Sequence, residues 1–389
     1  MSNVSRIPLA IPVVGPEEGA NLQKCIEDNF VSSVGPFVTE FEARVSALSG
    51  AAHGVAMGAG TQALHLALHC LGVGRGDLVA LPSFTFIASA NAIAHTGARP
   101  WLFDIDADSW TMSATQLAEA LAAKTEKRAD GLYHRESGER VAAIMPVYTL
   151  GTPADMDEIG KVAREFGLPV VADAAAAIGL TYNGKKLGAL ADLTCYSFNG
   201  NKTITCGGGG MVVGDDDALM QRIRHVSTTA RVLPNYEHDE VGYNYRMTNL
   251  QAAVGCAQAE KLTGFLEAKK RIRKTYNSAF SGRNDVTPFP SPADRQSTDW
   301  FSGFALTDAA SLTAAELCTA LQTKRIEARP FWMPVHLQPP YADCPREDQS
   351  LTDDVWRRIV TLPCSTNLTE TDQCSVIEAV IDILEGNVS

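Results

Sequence analysis

The chain is 389 residues long, carries a net charge of −12, and is 45% hydrophobic and 20% charged. That length exceeds one typical core and predicts a large domain with a smaller one. The acidic balance is spread along the sequence, which argues against nucleic acid or an anionic membrane surface as the main partner. Its nine cysteines are scattered without a CxxC or any metal-type spacing, so reduced thiols are expected and neither a disulfide framework nor a metal site. The start, Met1-Ser-Asn-Val-Ser-Arg6-Ile7-Pro8, lacks the build of a signal peptide. No apolar run reaches the roughly 18 residues that span a bilayer. A cytoplasmic protein without a membrane partner is the expectation.

In chain order, an extended piece over 7–12 precedes a helix over 17–28. A turn-rich loop over 31–36 follows, with Ser33 a candidate substrate contact, and then a helix over 39–48. The large domain starts near Gly54: a strand over 55–57, the tight turn Gly58-Ala59-Gly60-Thr61-Gln62, and a helix over 63–71. Strand, glycine turn and helix together aim free N–H groups and the positive dipole end at one spot, an anion site. Thr61 is expected at the cap, adding a hydroxyl. Strands over 78–82, 100–104, 141–147 and 168–173 then alternate with helices over 88–95, 115–124 and 155–166. This alternation predicts a mainly parallel sheet covered on both faces, with ligands at the carboxyl ends of its strands. Phe86, Asp173 and Lys202 fall there.

The polar stretch 124–140 reads as a surface excursion. A helix over 249–266 closes the large domain and a basic helix over 267–280 opens the small one. The expected division is therefore 1–266, an N-terminal arm and large cofactor-binding domain, and 267–389, a small α+β domain. The latter holds a strand over 300–306, a helix over 313–324, the segment from Arg329 to His336 and a closing helix to 384.

The chemistry centres on a strand over 193–198, a polar turn presenting Lys202, four glycines from Gly207 to Gly210 and a second strand over 211–213. Such glycines let backbone approach a bulky planar group. A lysine between apolar walls loses its proton and becomes a nucleophile. Pyridoxal 5'-phosphate requires a lysine, an anion site, a carboxylate for its pyridine nitrogen and a flat neighbour. Lys202 answers the first, Gly60, Thr61, Gln62 and Ser197 the second, Asp173 the third and Phe86 the fourth.

The ordered motifs Gly60-Thr61, Pro82-Ser83-Phe84-Thr85-Phe86, Asp173-Ala174-Ala175, Ser197-Phe198 with Lys202, and Gly242-Tyr243-Asn244-Tyr245-Arg246 resemble the DegT/DnrJ/EryC1/StrS family of sugar aminotransferases. The resemblance implies an α/β, fold-type I, aspartate-aminotransferase-like architecture acting as a homodimer with shared active sites. It also implies L-glutamate as donor, pyridoxamine 5'-phosphate as the alternate cofactor form, and a nucleotide-linked 4-keto-6-deoxy sugar as acceptor. The likeness is nearest the legionaminic-acid and N-acetylbacillosamine type, hence UDP-4-keto-6-deoxy-N-acetylglucosamine. GDP-4-keto-6-deoxymannose in a perosamine synthase-like reaction, a 3-keto sugar, or a non-catalytic cofactor-binding regulator are the alternatives. Asn244 is implied as a phosphate ligand lent by the neighbouring subunit, and Arg246, Arg329 and His336 as substrate-side residues. Two positions depart from the family pattern. Ala176, counted among the cofactor contacts, stands where relatives often carry His, Gln or Glu, and Tyr148 stands where many carry His.

Overall fold

Residues that alternate in facing direction along the central strands are apolar on both sides, so the sheet they form must be covered twice. Leu78 and Ala80 join one core cluster while Val79 and Leu81 join another. In this computed structural model, which describes residues 6–232 and 236–386, four strands pair in the order His53–Met57, Gly210–Gly214, Leu193–Ser197, Val171–Asp173. Five more pair in the order Arg99–Phe103, Asp77–Pro82, Arg140–Ile144, Gly131–His134, Thr125–Arg128. Parallel bridges Ile144–Val170 and Val147–Asp173 join the two sets. Gly210–Gly214 runs against both its neighbours. The other pairs are parallel up to Arg140–Ile144, as expected. The extreme ends of the expected segments 1–266 and 267–389, including the first residues read for a leader, lie outside the described residues.

On one face the helices Pro36–Ser49, Ala114–Lys124, Met156–Phe166 and Asn249–Glu260 bury Phe41, Leu117, Ile159 and Cys256 against the sheet. On the other, Gly60–Cys70, Ile87–His95 and Asp217–Ser227 bury Leu64, Ile93 and Ile223. A third core belongs to the four-stranded sheet Val286–Pro288, Ser302–Leu306, Ile359–Leu362, Arg329–Pro330. The helices Leu262–Ala279, Ala314–Thr323 and Glu370–Leu384 pack on it.

Three expectations are corrected. The stretch 124–140 is not a loose excursion: Thr125–Arg128 and Gly131–His134 form a hairpin that pairs antiparallel with Arg140–Ile144. The helix expected over 249–266 ends at Glu260, and the next begins at Leu262 and runs through the expected boundary at 267 to Ala279. Lys261 lies between them, its Nζ 2.9 Å from Glu17 and 2.8 Å from Glu18 of the first helix. Finally, part of the C-terminal segment belongs to the large sheet. Leu102 N donates to Pro345 O and Glu347 N to Leu102 O, while Val335, Tyr341 and Cys344 enter the large-sheet core. Among the described residues no helix is long and apolar enough to cross a membrane.

Candidate active site

The carboxyl ends of the central strands, the start of the helix Gly60–Cys70 and the third core enclose a cavity of about 420 Å³. Gly60, Thr61, Phe86, Asp173, Ala176, Ser197, Lys202 and Arg329, all expected site residues, line it.

The anion end comes from backbone geometry. Ala59 is the N-cap of Gly60–Cys70, in extended conformation and without a side-chain cap. The first bond back into the helix runs from Ala63 N to Ala59 O, leaving the N–H groups of Gly60, Thr61 and Gln62 without intrahelical partners. Thr61 is thus the second helical residue rather than the cap, so its N–H joins its hydroxyl in facing the site. A Cβ on Gly60 would lie 2.8 Å from Ser197 Cβ, and one on Gly210 2.5 Å from the Ala59 carbonyl. Glycine at both positions brings the Ser197 strand end against the helix start. Gln62 does not line the cavity; its Oε1 is buried without a partner, close to where a Gly58 Cβ would stand.

Asp173 ends its strand buried. Ser89 Oγ donates to Asp173 Oδ2 at 2.7 Å and Ala175 N to Oδ1 at 3.1 Å. The Thr85 hydroxyl lies 2.9 Å from Ser89 Oγ. Burial pushes the Asp173 carboxyl above its ordinary range, against the pull of these hydrogen bonds and of Lys202. Lys202 is half-buried and faces the cavity. Desolvation pushes its ammonium down to about 8, against the attraction of Asp173. At that value a working fraction of the amine is neutral near physiological pH. Phe86 is 53% exposed despite its size, because its ring stands in the cavity wall 5.9 Å from Trp332.

The other expected residues sit elsewhere. His336 is buried outside the cavity, its Nδ1 2.7 Å from Ser83 Oγ and its Nε2 3.1 Å from Asp353 Oδ1. Nδ1 ties the C-terminal segment to the large sheet through Ser83, while Nε2 meets Asp353 of that same segment. Ser33, Asn244 and Arg246 do not line this chain's cavity either. Asn244 is exposed and Arg246 bridges the sheet edge at Met57. Sequence reasoning missed Ser89, Asn201, Trp300 and Trp332. Ser89 follows the Pro82–Phe86 motif by one helical turn, and Trp300 opens a recognisable strand, yet neither carries a local sign of its role.

The arrangement fits pyridoxal phosphate. It offers unpaired helix N–H groups for a phosphate, a buried carboxylate for a pyridinium, a ring exposed to the space between, and an amine of lowered proton affinity. Asn201 Oδ1, also buried and unpartnered, offers a further acceptor.

A sequence profile described as the DegT/DnrJ/EryC1/StrS aminotransferase family matches residues 12–381. The chain is 37% identical over 388 residues to a GDP-perosamine synthase of Caulobacter vibrioides, covering 99% of this chain and 100% of that one. It is 36% identical over 383 residues to a putative pyridoxal phosphate-dependent aminotransferase, EpsN, of Bacillus subtilis, covering 97% and 96%. A DegT DnrJ EryC1 StrS aminotransferase from Brucella abortus superposes with a TM-score of 0.86 at 29% identity, covering 95% of each chain.

Proposed function

This chain belongs to the DegT/DnrJ/EryC1/StrS aminotransferase family, and from that premise we propose that it aminates the 4-keto carbon of a nucleotide-linked 4-keto-6-deoxy sugar. It is a pyridoxal-phosphate-dependent sugar aminotransferase. The proposed donor is L-glutamate, which leaves as 2-oxoglutarate while the sugar ketone becomes an amine. The observation that carries the reading is Lys202, its ammonium pushed down to about 8, facing the same cavity as Asp173 and the helix start.

The bound cofactor supplies an electron sink for the carbanion left when a Cα–H bond breaks. The chain supplies the rest. Gly60, Thr61 and Ser197 hold the phosphate with uncharged donors. Asp173 keeps a proton on the ring nitrogen, with Ser89 and Ala175 holding the carboxylate in its charged form. Phe86 offers a flat face beside the cofactor ring. Lys202 Nζ holds or releases a proton beside the reacting carbon. Arg329, exposed at the rim, is placed to meet an anionic substrate.

The family resemblance supports a homodimer in which Asn244, which lies outside this chain's cavity, completes the partner's site. The likeness to a GDP-perosamine synthase supports GDP-4-keto-6-deoxymannose as acceptor. The motifs around Lys202 support UDP-4-keto-6-deoxy-N-acetylglucosamine. A half-reaction separates the two. Glutamate should bleach the visible band of the purified enzyme, and after glutamate is removed only the true keto sugar nucleotide should restore it. A band that glutamate never bleaches refutes the donor. Restoration by neither sugar refutes the acceptor class.

A further inference from the structure

Trp300 is 3% exposed, and Lys202 Nζ stands 3.6 Å from the centroid of its ring. The indole Nε1 donates to Asn201 O at 2.7 Å, one residue before the lysine. The same ring therefore touches the amine and fastens the turn that carries it.

The backbone that carries the ring is itself fixed from both sides. From the large sheet's side, Thr298 Oγ1 donates to Ala176 O at 2.7 Å and Trp300 N to Leu150 O at 3.3 Å. A Cβ on Gly151 would lie 1.8 Å from Thr298 Oγ1, so this approach requires glycine there. From the helix Leu262–Ala279, buried Lys269 Nζ donates to Trp300 O at 2.8 Å and to Cys364 O at 2.6 Å. Arg273 on the same helix lies 3.4 Å from Asp299, which is held at φ 50°. Lys269 and Arg273, both buried, hold the consecutive residues Trp300 and Asp299. That is more anchoring than a plain wall of the cavity needs.

An ammonium over an indole face is attracted by the ring's quadrupole, more strongly where water is excluded. Among the described residues that line the cavity, the charged ones are Asp173, Lys202 and Arg329. Asp173 attracts the ammonium from the sheet, and Arg329 lines the same cavity. The indole adds to the attraction from the side of the third core without carrying a negative charge that would repel the cofactor's own anions.

We propose that Trp300 is a positioning residue of this active site, its indole face the docking surface of the Lys202 ammonium and its ring N–H the pin of the turn bearing that lysine. Whenever the lysine is unbonded it returns to one place, against the Trp300 ring at the cavity wall. The use of this device rests on the aminotransferase reading; the contact itself does not.

The test uses the full-length chain freed of cofactor. Mono-, di- and trifluorotryptophan are placed at position 300 alone, which weakens the ring's quadrupole while nearly preserving its shape. Labelling of Lys202 by a small amine reagent is then followed across pH by peptide mass spectrometry. The titration midpoint, about 8 in the unmodified chain, should fall stepwise with fluorination, by about one pH unit at the end of the series. Trp300→Phe, which keeps a weaker face and loses the pin, should also fall and should label faster at high pH. A midpoint that is flat or rises through the fluorinated series overturns the proposal and leaves Trp300 as packing. If no sugar nucleotide accepts an amine, the proposed function falls while this titration is untouched.

Discussion

Ser89→Ala offers a sharp test of how the buried carboxylate is kept charged. The Ser89 hydroxyl is 2.7 Å from Asp173 Oδ2, and both residues are buried. Losing a hydrogen bond to a charged group costs about 1.5–3 kcal/mol, and losing one to a neutral group about 0.5–1.5 kcal/mol. The difference, about 1–1.5 kcal/mol, raises the Asp173 carboxyl by about one further pH unit. That carboxyl already lies above its ordinary 3.8 in the folded chain. A raised acid contributes stability that is full below the unfolded value and is lost as pH rises through the folded one. The variant should therefore lose stability over a window that starts near 3.8 and ends about one pH unit higher than in the parent. Urea unfolding of the cofactor-free chain, followed upward from pH 3.8, should show a deficit that grows with pH, reaching about 2 kcal/mol. A deficit that stays constant with pH refutes the idea that Ser89 stabilises the charged form.

Gly60→Ala would drive a Cβ to 2.8 Å from Ser197 Cβ and part the helix start from the strand end. Cofactor affinity should fall by about tenfold, about 1.4 kcal/mol, while the melting temperature moves little because alanine favours the helix; an unchanged affinity counts against the anion site. Because Lys202 is lowered from 10.5 to about 8, the unfolded chain binds more protons between those values, and stability from this group should rise with pH across that window. Capture of cofactor by the cofactor-free chain should likewise speed up with pH and level off above about 8. In Asp173→Asn, which removes an attraction for the ammonium, the midpoint of that rise should move down; an upward move would mean Asp173 does not act on Lys202. Mixing inactive Lys202→Ala and Asn244→Ala subunits should recover about a quarter of parental activity, since half of random dimers carry one intact site. No recovery refutes the shared site.

What was legible in the sequence was what neighbouring residues decide among themselves. Alternating strands and helices, the glycine turn before Thr61 and the strand–lysine–glycine run are each set by residues near one another in the chain, and the structure has these elements in the order read, with Thr61 inside the helix rather than at its cap. The break at Lys261 is not of that kind, because the partners of Lys261, Glu17 and Glu18, come from the other end of the large domain. The hairpin at 125–134 looked like solvated loop because its strands carry Glu126, Lys127 and Arg128, which suit the outer edge of a sheet as well as they suit a loop. His336 looked like a substrate group by its company; only the fold brings Ser83 and Asp353 to its two nitrogens. Trp300 went unread for the same reason, since its contact with Lys202 spans two domains.

A chain with a net charge of −12 that must hold a phosphorylated cofactor and a sugar nucleotide faces a repulsive field. The site meets the two anions differently. In the proposed site, uncharged donors from the helix Gly60–Cys70 and Ser197 would face the phosphate at the inner end, where burial protects these dipoles from screening. Placing an arginine there would have lowered the proton affinity of Lys202 further and paired with Asp173, whose charge is needed for the ring nitrogen. At the rim, Arg329 is exposed, where a cation attracts a diphosphate at long range and salt weakens it. On the proposed reading the separation of roles follows from where each ligand stays: the cofactor remains through every cycle and would be held by fixed dipoles, whereas the sugar nucleotide must leave and would meet a screened charge.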